Sequence, residues 1–386
     1  KKIAILGSTG SIGENTLKII QNNKKDFDVI FLSTNKNVKK LLKQSSTLKP
    51  KSVIIYDKKE FIKNKKKFIN KKIKVFNSFD ELKKNSLKKK LDYIMCSITG
   101  LAGLDSTINC IEITKNIAIA NKESIICAWN LIEKKLTKNK TKFIPIDSEH
   151  FSIWSLLQNE STRGVEKIFI TASGGPFLNY KLNKLKNVKP KDAIKHPNWN
   201  MGKKITVDSA TLMNKVFEVI EARNIFNLEY NRISILTHPK SYVHTIIKFK
   251  NGLTKILVHE PDMKIPIFNS LHSSNTKNLK THSLDFNILN NLNLKNVDLK
   301  KFPLVKLLNI LPDHPSLFET VLITVNDYLV LKFLNKQISF QKLINLISKI
   351  LNQREFVKFK KIKPKNIDDI YQLRLYVSSK MNSLGI

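Results

Sequence analysis

The sequence predicts an α/β protein that ends in a helical domain. An apolar run at residues 2–6 leads directly into the glycine-rich segment 7–13, after which apolar residues recur at helical spacing. Short apolar runs then alternate with helical stretches up to residue 147, as a mainly parallel sheet covered by helices requires. From Phe302 onward, apolar residues recur at helical spacing with few turn residues, which predicts a small helical bundle.

The first strand, turn and helix predict a site for the phosphates of a dinucleotide. Residues 7–13 are G-S-T-G-S-I-G. Glycine permits positive φ and a close approach of the backbone to a phosphate, and the amides and dipole at a helix start favour an anion. The spacing is G-x-x-G-x-x-G rather than G-x-G-x-x-G, so an ordinary strand-to-helix turn is the alternative. We therefore expect a Rossmann-like domain at the N-terminus.

The second strand, expected at 27–33, indicates which dinucleotide binds. NAD-binding folds usually end this strand with Asp or Glu for the ribose hydroxyls. Here Thr34-Asn35-Lys36-Asn37 follows, which offers amide and cationic donors and no carboxylate. This favours NADP(H), with a solvated loop as the alternative at about equal weight.

The remaining apolar runs divide into two groups. Those that complete the first predicted sheet are 52–56, 91–95, 117–120 and 143–146. Those that predict a second, smaller sheet are 167–170, 233–236, 243–249 and 254–258. Residues 273–300 are rich in Asn, Ser, Thr and Lys, which predicts a linker. The predicted parts are therefore a dinucleotide-binding domain at 1–147, a central α/β domain at 148–272, this linker and a C-terminal helical domain at 301–386.

The formal net charge of +37 raises the possibility of nucleic-acid binding. Nearly all of the basic residues are Lys, however, and they are spread along the chain with Asn and Ile, without interleaved aromatic residues. A compositional bias on solvated faces explains the charge at least as well. We therefore expect no specific nucleic-acid partner.

Cysteine usage and hydropathy predict the compartment. Cys96, Cys110 and Cys127 lie in apolar surroundings without metal-ligand spacing, so buried thiols in a reducing compartment are expected. The sequence opens on its first strand without a signal-peptide pattern, and no apolar run approaches the roughly 18 residues of a membrane span. We expect a cytoplasmic protein with no membrane partner.

The segment Asp147-Ser148-Glu149 places two carboxylates together in a strongly basic chain. In extended backbone, residues two apart point to the same side, so both carboxylates can converge on one cation. A solvated turn, or an Asp147 cap on the next helix, is the alternative for so short a motif. Glu218 offers a third carboxylate, and three carboxylates with open positions suit Mg²⁺ or Mn²⁺ rather than zinc.

Two loops of the second region have the groups to hold a ligand. Residues 171–176, T-A-S-G-G-P, offer the Ser173 hydroxyl and exposed backbone N–H groups to a phosphate, unless they form an ordinary Gly-Pro turn. Residues 196–202, H-P-N-W-N-M-G, predict a loop that closes over a ligand and excludes water. A packed loop in which Trp199 only buries area is the alternative, and it is favoured for His-x-x-Trp taken alone.

A third segment is helical and adds further polar groups. Asp208 or Ser209 is expected to begin this helix, and Asn214 and Glu218 share one of its faces near Lys215. Hydroxyl, amide and ammonium groups in this arrangement suit an anionic phosphate. An amphipathic surface helix with one side-chain pair is the alternative.

These segments together resemble the 1-deoxy-D-xylulose 5-phosphate reductoisomerase family. The matching strings, in order, are G-S-T-G-S-I-G, A-N-K-E-S, D-S-E-H, S-G-G-P-F, H-P-N-W-N-M-G-K-K, V-D-S-A-T-L-M-N-K and E-P-D-M. The resemblance implies an enzyme that depends on NADPH and a divalent metal and converts 1-deoxy-D-xylulose 5-phosphate to 2-C-methyl-D-erythritol 4-phosphate in the non-mevalonate pathway. It also implies a homodimer joined through the central, catalytic domain.

The resemblance further implies roles for the matching residues. One Mg²⁺ or Mn²⁺ per active site would be held by Asp147, Glu149 and Glu218. The catalytic residues would be these three with Lys122 and His196. The sugar-phosphate substrate would contact Ser148, Glu149, Ser173, His196, Trp199, Ser209, Asn214, Lys215 and Glu218, and Met201 would belong to the closing loop. NADPH would contact Gly7, Ser8, Thr9, Gly10, Ser11, Ile12, Lys36, Asn37, Asn121, Glu123 and Gly202.

The sequence departs from the family pattern at a few positions. Val216-Phe217 stands where the family usually has Gly-Leu, and repacking without loss of the site is expected. Asn326-Asp327 stands for an Asn-Glu pair, and His272-Ser273-Ser274 replaces an aromatic-Pro pair.

Two other functions remain open from the sequence. A divergent NADP-dependent sugar-phosphate oxidoreductase without rearrangement would share the cofactor and phosphate sites, although retention of all three carboxylates and the His-Trp loop argues against it. A nonenzymatic polyanion-binding protein would lose affinity steeply with salt and be indifferent to NADPH.

Overall fold

The computed structural model describes residues 1–86, 89–199, 201–272 and 277–384, so Ser273, Ser274 and Asn200 of the sequence analysis lie outside the described residues. The chain forms two compact units. The first comprises Lys1–Ser124, Leu131–Asp147 and Met263–Leu279, and the second comprises Ile125–Asn130, Ser148–Asp262 and Lys280–Ile386. The return of the chain to the first unit at Met263 was not anticipated, and the four-part domain division remains a prediction.

The strands form one sheet in each unit. In the first unit they are β1 (Lys2–Leu6), β2 (Asp28–Thr34), β3 (Ser52–Ile55), β4 (Lys74–Phe76), β5 (Tyr93–Cys96), β6 (Asn116–Ile119) and β7 (Lys142–Pro145). In the second unit they are β8 (Val165–Ala172), β9 (Ile233–Thr237), β10 (Val243–Phe249), β11 (Thr254–Val258) and β12 (Lys295–Asn296).

The helices cover both sheets and form the C-terminal region. In chain order they are α1 (Ser11–Asn22), α2 (Val38–Leu48), α3 (Lys58–Ile69), α4 (Phe79–Ser86), α5 (Leu104–Cys110), α6 (Lys122–Asn139), α7 (Ser148–Leu156), α8 (Pro190–Ala193), α9 (Lys203–Ala210), α10 (Met213–Phe226), α11 (Lys264–Leu271), α12 (Phe286–Asn290), α13 (Phe318–Leu334), α14 (Phe340–Leu351), α15 (Arg354–Val357) and α16 (Ile367–Ser383). Short 3₁₀ helices occupy Lys24–Asp26, Leu101–Gly103, Ile111–Ile113, Thr162–Gly164, Leu182–Asn187, Tyr230–Arg232, Pro303–Ile310 and Lys358–Lys361.

The first sheet is parallel throughout, with the spatial order β4-β3-β2-β1-β5-β6-β7. The strand order reverses between β1 and β5, and ligands bind at such a switch point, outside the carboxyl ends of the strands. The segment 7–13 begins at the carboxyl end of β1. The glycine turn predicted to bind phosphates therefore stands where this fold places a ligand.

The glycines of this turn differ in what their positions allow. Gly7 has a φ of +77°, and a Cβ added there would lie 2.7 Å from the carbonyl oxygen of Ser97. A Cβ on Gly13 would lie 2.5 Å from the carbonyl oxygen of Gly7, whereas at Gly10 the nearest atom is 3.4 Å away. Gly7 is therefore required for the close approach of the turn to the segment after β5, and Gly13 for the close approach of α1 to the turn itself.

Replacement of Gly13 by Ala is expected to lower the free energy of unfolding by about 1–3 kcal/mol, which is the usual cost of overpacking a dense core. The reason is that the added methyl group meets backbone atoms that cannot move aside. The replacement should also weaken binding at the predicted dinucleotide site, since the turn must open. Gly10→Ala is the matched control for stability, and urea unfolding would compare the two variants. Equal stability of the two variants would contradict the packing argument.

The second sheet is mixed, with the order β11-β10-β8-β9-β12. Strands β8 and β9 are parallel, and the other neighbouring pairs are antiparallel. Helix α10 has an almost wholly buried surface, and its residues Val219, Ala222 and Phe226 belong to the same apolar core as β8 and β9. This core fixes the position of α10, which carries three of the predicted site residues.

The C-terminal region is helical, as predicted from its periodicity. Helix α13 is buried around most of its circumference and packs against α14 and α16. Helix α14 is amphipathic, with Leu343, Ile344 and Ile347 on its buried face. Across the described ranges, no helix combines the length and hydropathy needed to cross a membrane.

Candidate active site

The glycine turn of the first unit is fastened to the end of β2. The Gly7 amide donates to Ser33 Oγ at 2.9 Å, and the hydroxyls of Thr9 and Thr34 are 2.8 Å apart. Ser8 is fully buried and its hydroxyl donates to Gln44 Oε1 at 2.8 Å, so its side chain holds the turn in shape. Beyond this turn, the first amides of α1 have no acceptor within the helix, which suits a phosphate group.

Three polar side chains lie after β2. Lys36 is exposed and its Nζ is 3.8 Å from Asp57, while Asn37 caps α2 by accepting the Lys40 amide at 3.2 Å. Lys40, which the sequence analysis did not single out, donates from Nζ to the carbonyl oxygen of Thr9 at 3.3 Å. Lys40 lies in the first turn of α2. Its contact with the glycine turn depends on the fold and has no local signal in the sequence.

Residues 121–123 form the N-terminal end of α6, which follows β6. Asn121 is buried, caps α6 by accepting the Ser124 amide at 2.7 Å, and donates to the carbonyl oxygen of Gly100 at 2.7 Å. Glu123 is also buried. Lys122 donates from Nζ to Asp147 Oδ2 at 3.0 Å. The predicted catalytic lysine therefore pairs with one of the predicted metal ligands within the first unit.

The motif Asp147-Ser148-Glu149 is not extended, which corrects the geometry expected from the sequence. Helix α7 begins at Ser148, directly after Asp147, so the backbone turns into a helix within the motif. The hydroxyl of Ser148, the first residue of this helix, donates to Glu149 Oε2 at 2.6 Å. Asp147 ends the first unit and is joined through one residue to Glu149 in the second.

Two buried carboxylates of the second unit converge on one ammonium group. Glu149 is 8% exposed and Glu218 is 2% exposed. Lys215 Nζ donates to Glu218 Oε2 at 2.5 Å and also to Glu149 Oε1. Asn214 Nδ2 donates to Glu218 Oε1. These contacts bring the predicted residues of α7 and α10 together as a cluster.

The charges of this cluster determine the protonation of Lys215. Burial by itself would lower the pKa of the ammonium, but the carboxylates of Glu149 and Glu218 outweigh burial and raise the pKa above its ordinary value. The side chain therefore stays charged, and it shows that these two carboxylates can share one cation. Carboxylate oxygens are the ligands that Mg²⁺ and Mn²⁺ prefer, so the residues fit such an ion.

The polar loop after β8 contacts the end of α9. Gly174 and Gly175 have φ angles of +81° and +64°, and a Cβ on Gly175 would lie 2.7 Å from the carbonyl oxygen of Ser209. Asp208 and Ser209 lie in the last turn of α9, so the expectation that they begin a helix was wrong. Helix α10 starts only after Leu212, which has a φ of +57°.

His196 is held as a neutral imidazole. Its Nδ1 accepts the amides of Asn198 at 3.1 Å and Trp199 at 3.0 Å, so the proton lies on Nε2, which is 3.0 Å from Ser173 Oγ. Ser173 Oγ also accepts the Gly175 amide at 3.0 Å. The hydroxyl proton of Ser173 is thus directed to a further acceptor, such as a phosphate oxygen.

The protonation of His196 gives a testable pH dependence. Burial, with a smaller contribution from the charge of Lys215, lowers the pKa of His196 to about 4. Between that value and the ordinary pKa of about 6.5, the unfolded chain binds a proton that the folded chain does not. Stability should therefore fall as the pH is lowered through this window. The His196→Gln variant should lose less stability than the unmodified protein between about pH 7 and pH 5, measured by urea unfolding, and an identical loss would contradict the assignment.

The loop after His196 is anchored by a residue that the sequence analysis missed. Asn198 Nδ2 donates to the carbonyl oxygen of Pro239 at 2.7 Å and to Ser241 Oγ at 2.8 Å. The Trp199 ring packs edge-on against His244 with centroids 6.2 Å apart. Gly202 precedes α9 with an ordinary extended φ of −62°, so a hinge there does not depend on positive φ.

A buried polar network ties α9 to the C-terminal helices. Asp208 is 1% exposed, and its Oδ1 accepts from Asn326 Nδ2 at 2.8 Å. Lys204 lies 3.4 Å from Asp208 and 2.7 Å from Asp327, and it stands over the Phe217 ring at 5.6 Å. Phe217 is fully buried, so the bulk at this position is packed into the core.

Comparison with known proteins gives matches along the whole chain. The family model described as "1-deoxy-D-xylulose 5-phosphate reductoisomerase" matches residues 3–129, its C-terminal domain model matches 143–226, and the model "DXP reductoisomerase C-terminal domain" matches 258–377. The 1-deoxy-D-xylulose 5-phosphate reductoisomerase of Pelagibacter ubique is 56% identical over 387 residues, which cover 100% of both chains. That of Chloroherpeton thalassium is 35% identical, covering 100% of this chain and 99% of its own.

Solved structures show the same similarity. The reductoisomerase from Zymomonas mobilis in complex with NADPH has a TM-score of 0.87 at 30% identity, covering 100% of this chain and 98% of that one. A DOX-P reductoisomerase in complex with NADPH, fosmidomycin and magnesium has a TM-score of 0.89 at 29% identity, covering 100% and 99%.

Proposed function

The chain belongs to the 1-deoxy-D-xylulose 5-phosphate reductoisomerase family, and we propose that its carboxylate cluster and polar loops form the active site of that enzyme. It converts 1-deoxy-D-xylulose 5-phosphate to 2-C-methyl-D-erythritol 4-phosphate with NADPH and a divalent metal, in the non-mevalonate pathway of isoprenoid precursor biosynthesis. The observation that carries the site assignment is the convergence of Glu149 and Glu218 on one cationic group.

Asp147, Glu149 and Glu218 hold the metal in this proposal. A Mg²⁺ or Mn²⁺ held by these carboxylates would supply a Lewis acid to the substrate's oxygens. Ser148 donates to Glu149 and so orients one carboxylate. Lys122 pairs with Asp147 and places an ammonium beside the substrate oxygens.

The substrate phosphate is held by Ser173, Ser209, Asn214 and Lys215, with His196 beside it. Neutral His196 donates from Nε2 to Ser173 Oγ, which leaves the Ser173 hydroxyl proton for a phosphate oxygen. The phosphate is remote from the bonds that change, so its binding energy is available to position the reacting carbons and to close the loop. Trp199 and Met201 cover the substrate in that closed loop and exclude water.

The cofactor lies against the glycine turn of the first unit. Ser11 and Ile12 would present the amides of the first turn of α1 to the pyrophosphate. Gly10, whose own amide donates to the carbonyl oxygen of Gly7 at 3.0 Å, would set the shape of the turn with Gly7, Ser8 and Thr9. Lys36 and Asn37 face the 2′-phosphate of NADPH. Asn121, Glu123 and Gly202 are further predicted contacts. NADPH bound there would supply the hydride for the reduction that follows the rearrangement.

We also propose a homodimer joined through the second unit. Strand β11 is an edge strand of the second sheet, and two large apolar residues are exposed at it: Leu253, directly before the strand, is 59% exposed, and Ile256, within it, is 46% exposed. An exposed apolar edge of this kind favours pairing with another chain. Analytical ultracentrifugation should give twice the chain mass, and a chain that stays monomeric at micromolar concentration would contradict the dimer.

A cytoplasmic location is the remaining part of the proposal. Cys96, Cys110 and Cys127 are buried and form no disulfide, as expected for a protein of a reducing compartment. Cell fractionation with a marker for each compartment would test this location.

The assay for the function is the loss of NADPH absorbance with 1-deoxy-D-xylulose 5-phosphate as substrate. Oxidation should require both the sugar phosphate and Mg²⁺ or Mn²⁺, and methylerythritol phosphate should form in equal amount. Oxidation that is independent of metal, or a reduced but unrearranged sugar phosphate, would favour an oxidoreductase of another kind.

A further inference from the structure

The ammonium of Lys215 has two groups of possible partners. In the structure it donates to the carboxylates of Glu149 and Glu218. The proposed function instead assigns Lys215 to the substrate phosphate, together with Ser173. The backbone links the two sites, because the Lys215 amide donates to the carbonyl oxygen of Leu212 at 3.1 Å and the Leu212 amide donates to that of Ser209 at 3.1 Å. The predicted phosphate ligand Ser209 therefore lies one short turn away from Lys215.

The metal and the ammonium require the same oxygen atoms. Lys215 Nζ is 2.5 Å from Glu218 Oε2, and a Mg²⁺ ion binds carboxylate oxygens at about 2.0–2.1 Å. A metal bound to Glu218 and Glu149 would thus occupy nearly the position of Nζ. Two cations at such a separation in a buried site repel each other strongly. The two assignments are compatible only if the ammonium leaves when the metal arrives.

We propose that Lys215 is an exchangeable cation that couples metal binding to phosphate binding. When a divalent metal takes the oxygens of Glu149 and Glu218, the ammonium is released to the phosphate pocket of Ser173 and Ser209. This inference rests on the proposed function of the site. It adds a preferred order in which the metal binds before the sugar phosphate.

The energetic reason is the cost of removing a counter-charge from buried carboxylates. If a phosphate drew Lys215 away without a metal present, Glu149 and Glu218 would lose the ammonium to which both now bind while staying buried, which is unfavourable. The metal removes that cost. Since coupling is reciprocal, the phosphate should strengthen metal binding by the same factor. We expect a factor of about tenfold or more, within the usual range for coupled sites.

The test measures this coupling with glycerol 3-phosphate as a soluble monophosphate probe. Calorimetric titration would give the dissociation constant of the probe with and without Mn²⁺, and of Mn²⁺ with and without the probe. The variants would be Lys215→Gln and, as a control of equal charge at an exposed position on α9, Lys203→Gln. The unmodified protein and Lys203→Gln should show the full coupling, and Lys215→Gln should show a coupling several-fold smaller with tighter Mn²⁺ binding in the absence of the probe.

Two failures of this experiment can be told apart. Equal coupling in the unmodified protein and in Lys215→Gln would overturn the exchange and leave the metal site intact. No binding of Mn²⁺ to the unmodified protein would overturn the metal site itself, and the exchange with it.

A second measurement needs no variant. Reductive methylation with mass spectrometry reports how accessible the Lys215 amine is. Its modification rate should rise when Mn²⁺ is added and fall again when glycerol 3-phosphate is added as well. A rate that does not respond to Mn²⁺ would overturn the exchange.

Discussion

Replacement of Glu218 by Gln is expected to lower the metal-dependent turnover by at least about 100-fold. Glu218 is buried on α10 and accepts from both Lys215 and Asn214. A neutral amide is a much weaker ligand for Mg²⁺ than a carboxylate, and the Lewis acid contributes several kcal/mol to the reaction, where each 1.36 kcal/mol is a factor of ten in rate. The measurement is kcat/KM for NADPH oxidation together with the dissociation constant of Mn²⁺.

The matched control for this variant is Glu229→Gln, which makes the same change of charge at an exposed position beyond the end of α10. It should retain both activity and metal affinity. Circular dichroism would confirm that each variant is folded. If Glu218→Gln kept its Mn²⁺ affinity and lost only activity, Glu218 would act on the substrate and would not be a metal ligand.

Replacement of Asn326 by Leu is expected to lower the free energy of unfolding by about 2–3 kcal/mol and to raise KM for the sugar phosphate. Asn326 is buried on α13 and donates to the buried Asp208 carboxylate at 2.8 Å. Leu keeps the branching of Asn but is larger and cannot donate, so part of the buried Asp208 charge loses this hydrogen bond. Asp208 precedes Ser209, a predicted phosphate ligand, so a shift of the α9 end should weaken substrate binding more than it slows catalysis.

Asp327→Asn is the control for this network, because its ion pair with Lys204 is partly exposed and such pairs contribute about 0–1 kcal/mol. The double variant Asp208→Asn with Asn326→Asp reverses donor and acceptor and should recover part of the stability and the KM. Urea unfolding and steady-state kinetics would compare all three. A KM unchanged in Asn326→Leu despite the lost stability would restrict Asn326 to folding alone.

The parts of the fold that were predicted correctly are those with strong local patterns. The bounds of β10 and β11 agree with their apolar runs, and the step from β1 through the glycine turn to α1 follows from glycine placement and helical periodicity. The short strands β4 and β12 were missed, since β4 has three residues and β12 is a polar pair inside the predicted linker. Their pairing depends on neighbouring strands and leaves little trace in the sequence.

In the candidate site, too, the features with local sequence patterns were predicted correctly and those that depend on distant contacts were not. The residue types and their order were enough to identify the family, and the predicted fold class, activity and cofactors are confirmed. Local propensity placed Asp208 and Ser209 at a helix start, but in the fold they end α9, where Asp208 bonds to a residue more than a hundred positions away. A contact over that distance overrides capping preference and cannot be read from a single sequence. Lys215 was assigned to the phosphate alone, because its pairing with Glu149 depends on how α7 and α10 pack.

The most direct test of the central assignment is an anomalous difference map from crystals of the protein grown with Mn²⁺. We expect one peak per chain, within bonding distance of carboxylate oxygens from Asp147, Glu149 and Glu218. A peak on other residues, or no peak at a Mn²⁺ concentration that supports full activity, would contradict the assignment of these three carboxylates as the metal site.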